Sequence, residues 1–456
     1  MLAAAKKKLF AKRAVRTPRA PRSPIAAFFT LPNLSLAFVL LCCALIGKFE
    51  QFEVYFSLAI LAVIVLNWNK DEFYLYIGIF ILFQEQFYLR AGTTTVYRVY
   101  SYLLLLHIFK DFFILRVKPQ YMPVMCVFAA FCVLCTGRLN FRVSMMVLCD
   151  LIFVFVVGCM LHEKPALMRK FIVVFVMAAI CAGIYSLTAD TYVSYETGLG
   201  TMVTITRYVG TVNDANYAGC FYNIALFMAM CSNTFRKWYL RLPIVALLAY
   251  FILLTASQTA LLCMLIGFCV YVILRYRMAG IPLALIIFSG AAIFVAALIY
   301  IPALRDAPAL STISNRIQAS LVEMQSGDVA TLTTNRSELW RLAWEYFTEL
   351  PLHKKLLGGS AMTMLISLPE LYETIGAVHQ SFIQGLLDFG ILGTLVVFGT
   401  FLAQTGVHAL KCLRLDSREL PIDLLRCSVM SAYVFLLYSF TMDLFMDWRV
   451  LFFFFF

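Results

Sequence analysis

A histidine stands where a long polar interval ends and an apolar run begins, in Ala377-Val378-His379-Gln380. An imidazole can take a proton from a hydroxyl near neutral pH, as the general base of a sugar transfer must. A polar residue opening a helix, satisfied by backbone or water, accounts for the same position. Three arginines, Arg207, Arg316 and Arg336, fall in stretches that hydropathy places outside a membrane, where the positive-inside rule gives no reason for them. The planar guanidinium fork suits bidentate binding of phosphate. Arg336 follows a capping position at Asn335, where the first-turn N–H groups and the helix dipole attract an anion. The plainer alternative is an exposed charge paired with Glu338 or Asp328, worth little in water.

Around these lie polar residues that could support a site or merely shape the backbone. Asp214 and Asn216, with Asn213, precede an apolar run and have N-cap chemistry. Ser257 and Gln258 form the tip of a tight turn, Thr255-Ala256-Ser257-Gln258-Thr259, between two apolar runs. Trp340 follows Arg336 by four residues, so the two share a helix face; a stacking platform and an interfacial anchor are both open readings. Gln380 and Asp388 follow His379 in the apolar run, and Asp150, Asp443 and Asp447 lie in or beside others. Ionisable groups in membrane spans are costly and are functional suspects. His107, His162, His353 and His408 form no metal-ligand spacing with His379, and no cofactor is expected. Nor does a phosphate loop, a nucleotide fingerprint or an Asp-x-Asp metal pair appear outside the apolar runs.

The elements that position these residues are membrane helices. The chain is 62% hydrophobic and only 14% charged over 456 residues, against roughly 25% charged in a soluble domain. Runs near 20 apolar residues recur, each able to cross a hydrocarbon core about 30 Å thick. The spacing predicts an all-α polytopic protein with spans near 33–48, 53–68, 72–88, 97–116, 121–137, 142–161, 170–188, 216–232, 242–255, 260–275, 281–300, 380–405 and 422–445, about a dozen in all. A net charge of +12 reports topology rather than a nucleic-acid partner, because the basic clusters fall on one side when spans are counted from a cytoplasmic N-terminus. The predicted organisation is a basic tail over 1–32, a helical domain over 33–301 with an outer loop at 189–215, a large outer loop over 302–379, and C-terminal spans over 380–456. Two amphipathic helices are expected in the large loop: one through Ile313, Ile317 and Leu321, and one from Arg336 to Pro351. Fourteen cysteines, nearly all in spans, suggest neither a disulfide framework nor a zinc site. Five terminal phenylalanines, too short to cross a membrane alone, read as the opening of a span that stops early or as the end of a clipped sequence.

Four stretches together resemble the O-antigen ligase and O-antigen polymerase family of bacterial membrane glycosyltransferases. They are Arg207-x-x-Gly210 with Asp214-Ala215-Asn216; Thr255-Ala256-Ser257-Gln258-Thr259-Ala260; Arg336-Ser337-Glu338-Leu339-Trp340 followed by Gly358-Gly359; and His379-Gln380-Ser381-Phe382 with Asp388-Phe389-Gly390-x-x-Gly393. The chain departs from the pattern at Gln258, where the family has arginine, at Gln380 for asparagine and at Ala215 for proline.

The resemblance implies a metal-independent, inverting transfer of a glycan from a polyprenyl-diphosphate (undecaprenyl-diphosphate) donor to an acceptor hydroxyl. The acceptor would be a glycan or lipid on the outer face of the cytoplasmic membrane, in assembly of a cell-envelope polysaccharide. It assigns His379 as base and Arg207 and Arg336 to the leaving diphosphate, with Arg316 and Gln258 near the donor. The partners implied are the lipid-linked oligosaccharide, the acceptor and the bilayer, with no nucleic acid. A membrane transporter of a small anion, with the arginines as vestibule, is the rival reading. A glycan polymerase of the shape, elongation and division type shares the donor chemistry but not the motifs.

Overall fold

The computed structural model describes residues 30–90, 94–113, 156–158, 160–189, 191–197, 203–305, 336–358, 378–414 and 421–442, with isolated positions at 314, 315, 317, 318, 321, 444, 449 and 453. The basic tail, the predicted span at 121–137, most of 142–161, and Arg316, Asp150, Asp443 and Asp447 lie outside these residues. So do the first amphipathic helix apart from isolated positions, and most of the large loop.

Helices dominate. α1 (Leu31–Leu45), α2 (Glu53–Leu66), α3 (Ile77–Phe83) and α4 (Val96–Phe113) come first, then α5 (Pro165–Thr188). α6 (Ala215–Cys231), α7 (Trp238–Leu254), α8 (Gln258–Tyr276) and α9 (Gly280–Tyr300) follow. The polar segment supplies α10 (Arg336–Glu349) and α11 (Leu352–Leu357), and α12 (Ser381–Arg414) and α13 (Ile422–Tyr438) follow. Among the described residues four stretches are long and apolar enough to cross a membrane: Leu31–Lys48, Pro165–Thr188, Gln258–Tyr300 and Ser381–Arg414. α6 is buried along almost its whole length and packs against α5, α7, α8 and α13. α7 and α9 instead expose Leu242, Leu285, Ile286 and Ile293, an apolar surface that suits lipid and not water. Without a hydrophobic drive between helices in lipid, close packing holds them together. Gly183 on α5 and Gly267 on α8 provide it, lying flat against the rings of Phe251 and Phe227.

Two of the apolar stretches are folded back on themselves. At Arg277 the backbone turns to φ 59°, and α9 returns along α8, bringing Ala284 beside Cys269. At Gly390 the backbone leaves the helical region (φ 67°, ψ −177°). Phe382 then stacks on Phe398 at 4.1 Å, although a straight helix would hold residues sixteen apart about 24 Å away. Thr394 likewise comes up against Gly385. The predicted span 380–405 is therefore corrected. Residues 381–389 form a half-helix that reverses at Gly390, and only the part beyond it runs antiparallel to α13, with Phe401 on Phe435 and His408 beside Ser428. Glycine is required at the reversal, both for the positive φ and because a β-carbon would collide with the Gly358 amide and the Leu356 carbonyl at the end of α11.

The half-helix carries its own small core. Leu339, Ala343, Phe347 and Leu350 of the α10 region pack on Val378 and Leu387. α10 forms where the amphipathic pattern and the stop at Pro351 predict it. Two further expectations are corrected. The predicted span 72–88 is a 3-10 stretch, Asp71–Tyr76, followed by the seven-residue α3, buried throughout from Phe73 to Phe83. The span 422–445 ends early, at Tyr438, because residues 439–442 turn away. Part of the interval 189–215 is an antiparallel hairpin, β3 (Tyr192–Thr197) with β4 (Val203–Tyr208), in unbroken register. A two-strand pair, β1 (Tyr88–Arg90) with β2 (Thr94–Thr95), precedes α4.

Candidate functional site

One end of the bundle gathers the N-terminus of α6, the turn between α7 and α8, and the C-terminus of α13. They meet at Gly219, where a β-carbon would sit 2.6 Å from Ala260 and 3.0 Å from the Tyr438 hydroxyl, with the Thr255 hydroxyl 3.5 Å away. Small size there lets the three chain segments approach.

Asp214 caps α6: its carboxylate accepts from the amides of Asn216 (2.7 Å) and Tyr217 (3.0 Å), satisfying first-turn donors. Asn213 takes the left-handed conformation before it (φ 57°) and donates to Glu85 at 3.0 Å. With Asp214 doing the capping, the Asn216 side chain serves a second purpose. Its Oδ1 accepts from Arg207 Nη2 at 2.9 Å and from Ser257 Oγ at 2.7 Å. Arg207, at the end of β4, also donates Nε to the Thr255 carbonyl at 3.1 Å. Two bonds from one planar fork fix its plane. Ser257 in turn caps α8, accepting from the Ala260 amide at 3.3 Å. Gln258 begins α8 and is exposed. Thus Arg207, Asn216 and Ser257, up to fifty residues apart in sequence, form a single knot of hydrogen bonds.

The second half of the site hangs on the turn after α13. Arg336, the first residue of α10, donates Nη1 to the Thr441 carbonyl at 3.0 Å. Glu338 is engaged with Arg341, which also reaches Glu345 at 2.6 Å. The guanidinium of Arg341 holds the exposed Glu338 carboxyl below its usual range. Trp340 donates its indole N–H to the Val378 carbonyl at 3.1 Å. His379 follows, half-buried and in the left-handed region (φ 54°), an uncommon conformation for a residue with a side chain. Gln380 Oε1 accepts from the Ile383 amide at 2.6 Å and so caps the half-helix. Asp388, buried, accepts from Gln384 Nε2 at 2.8 Å. It lies on the half-helix, two residues before the reversal at Gly390, and not within a continuous span.

The structure thus brings Arg207, Asp214, Asn216, Ser257 and Gln258 together around the start of α6. It brings Arg336, Trp340, His379 and Gln380 together around residues 439–442, and Tyr438 joins the two groups. Sequence reasoning missed Ser381, whose hydroxyl and amide tie the half-helix to this turn. It also missed Arg449, buried with its guanidinium 5.7 Å from the centre of the Tyr217 ring and 5.9 Å from that of Phe221, within reach of a cation–π attraction. A basic residue in an apolar C-terminal run was the available signal for Arg449. Among the described residues no group of three or more His, Cys, Asp or Glu is placed to hold a metal ion.

The fold and the site define a helical membrane protein in which Arg207 is held at the start of α6 and Arg336 at the turn after α13. Residues 243–398, about a third of the chain, match the family model described as O-antigen ligase. Over that stretch the chain is similar to the O-antigen ligase family. The match takes in Ser257, Gln258, Arg336, Trp340, His379 and Asp388; Arg207 and Asn216 precede it. No curated protein and no solved structure shows a significant match.

Proposed function

We propose that this chain transfers a glycan from a polyprenyl-diphosphate donor to an acceptor hydroxyl at the outer face of the cytoplasmic membrane, in assembly of a cell-surface polysaccharide. The family match supports O-antigen ligase-type chemistry in glycan assembly. The observation that carries the finer reading is the convergence at one end of the bundle. Arg207 is fixed by Asn216 and Thr255, and Arg336 and His379 are both set by the turn that follows Tyr438.

In this reading the acceptor hydroxyl attacks the anomeric carbon of the donor sugar while its proton passes to the His379 imidazole. The bond from that carbon to the diphosphate oxygen breaks, with inversion, and the diphosphate leaves with added charge. Arg207 and Arg336 offset that charge, and preorganised cations at a developing anion are the largest single contribution to such a rate. A fixed guanidinium plane matters more here than a mobile charge, because it need not reorganise as the bond breaks. No nucleotide or metal has to enter the step, since the donor is already activated as a diphosphate.

The test is a gel of surface glycans from a strain deleted for this gene and complemented with wild type or variants. Restoration by wild type, and failure of membrane-inserted His379→Ala and Arg207→Ala, supports the reading. Loss of long chains marks a polymerase, and loss of attachment a ligase. Solute flux in vesicles with unchanged glycans would overturn it in favour of transport.

A further inference from the structure

His379 is the single left-handed residue between two anchored neighbours. On one side, Val378 is fully buried and its carbonyl accepts the Trp340 indole N–H at 3.1 Å. On the other, Ser381 is fully buried and held three ways. Its amide donates to the Ser439 carbonyl at 2.8 Å, its hydroxyl donates to the Met442 carbonyl at 2.6 Å, and the same oxygen accepts from the Leu444 amide at 2.9 Å. The acceptors of Ser381 flank Thr441, whose carbonyl takes Arg336. One four-residue turn therefore sets the place of both the histidine and the arginine.

We propose that Ser381 and Trp340 are positioning residues that register the His379 imidazole against Arg336 through the 439–442 turn. The inference rests on the functional reading above and adds how the base is held. Left-handed backbone at a residue with a β-carbon persists only where its surroundings over-determine it. Here the surroundings are two hydrogen-bonded anchors, one on each side, and releasing either lets residue 379 relax toward an ordinary conformation. The ring would then leave the place that the two anchors set for it. A plain structural tie would instead lower the amount of folded protein and leave the histidine's surroundings alone in what remains.

The experiment uses the full chain in lipid nanodiscs, with Ser381→Ala, Trp340→Phe and the hydroxyl-retaining Ser381→Thr. Modification of each histidine by diethyl pyrocarbonate is followed against pH by peptide mass spectrometry, with exposed His353 as internal reference. In Ser381→Ala and Trp340→Phe the rate or pH midpoint at His379 should change several-fold while His353 is unaltered, and Ser381→Thr should behave as wild type. With a polyprenyl-diphosphate-linked oligosaccharide as donor, kcat should fall on the order of ten- to a hundredfold with KM little changed, as expected when a reacting group is misplaced. Wild-type His379 reactivity and kcat in folded Ser381→Ala and Trp340→Phe would overturn the inference, as would a change shared equally by His353. Should Ser381→Ala fail to fold, Trp340→Phe, which keeps an aromatic ring but loses the indole N–H and one of its two rings, decides alone. Absence of transfer by wild type would count against the functional reading. The reactivity of His379 would still be measured and would still decide the positioning.

Discussion

Replacing Asn216 by alanine tests the knot that fixes Arg207. Its Oδ1 accepts two bonds, 2.9 Å from a guanidinium and 2.7 Å from the Ser257 hydroxyl. A hydrogen bond to a charged group is worth about 1.5–3 kcal/mol and a neutral one about 1. Removing the acceptor leaves Arg207 with the Thr255 carbonyl, while Ser257 keeps its cap on α8. Arg207 is only half-buried, so water replaces part of what is lost, and the net cost should be about 2 kcal/mol rather than the full sum. Equilibrium unfolding in mixed micelles measures it. The decisive form is a double-mutant cycle of Asn216→Ala with Arg207→Ala, whose coupling should be about 1–2 kcal/mol. Additivity within about 0.3 kcal/mol would refute the argument, because it would mean the two side chains do not share energy.

Three further outcomes follow from the same geometry. Gly390→Ala forces a positive φ on a side chain and drives its β-carbon into the end of α11; unfolding measurements should show a loss of about 3 kcal/mol or more, with faster proteolysis beyond Gly358. Arg169→Ala strands Asp423, which is buried and accepts from Arg169 at 3.2 Å and from the Asn233 amide at 3.2 Å. The cost should be about 3 kcal/mol, mostly recovered in the Arg169→Ala, Asp423→Asn double variant. Ser257→Ala removes both a cap and a bond to Asn216; about 1–2 kcal/mol of stability should go, with glycan transfer falling alongside because Arg207 loosens.

Much of this architecture was legible in composition and hydropathy. Helix positions from α4 through α9 could be read from apolar runs, and α10 from its amphipathic spacing. Asp214 could be named as a cap from residue type and place, and Ser257 as part of a tight turn. What hydropathy could not register was reversal. The run 380–405 has the apolarity of a span, and only the pairing of Phe382 with Phe398 reveals the turn at Gly390. Likewise 72–88 is apolar and buried in protein from Phe73 to Phe83, where hydropathy alone reads a continuous helix. The β3–β4 hairpin has a signal in the alternation Val-Thr-Ile-Thr-Arg-Tyr at 203–208, inside the interval expected only as an outer loop. Arg207, Arg336 and His379 were recognisable by chemistry, but their partners were not. Thr255, Val378 and Thr441 contribute backbone carbonyls, and a carbonyl carries no sequence signal. Ser381, in the motif yet without evident chemistry, acquires meaning only beside residues 439–444.

The most direct test of the central claim is reconstituted transfer from a polyprenyl-diphosphate-linked oligosaccharide to an acceptor glycan, comparing wild type with His379→Ala in the same liposomes. The account predicts release of polyprenyl diphosphate by wild type and a loss of about 10²–10⁴-fold in the variant, the range for removing a general base. Undiminished release from folded His379→Ala protein would contradict it.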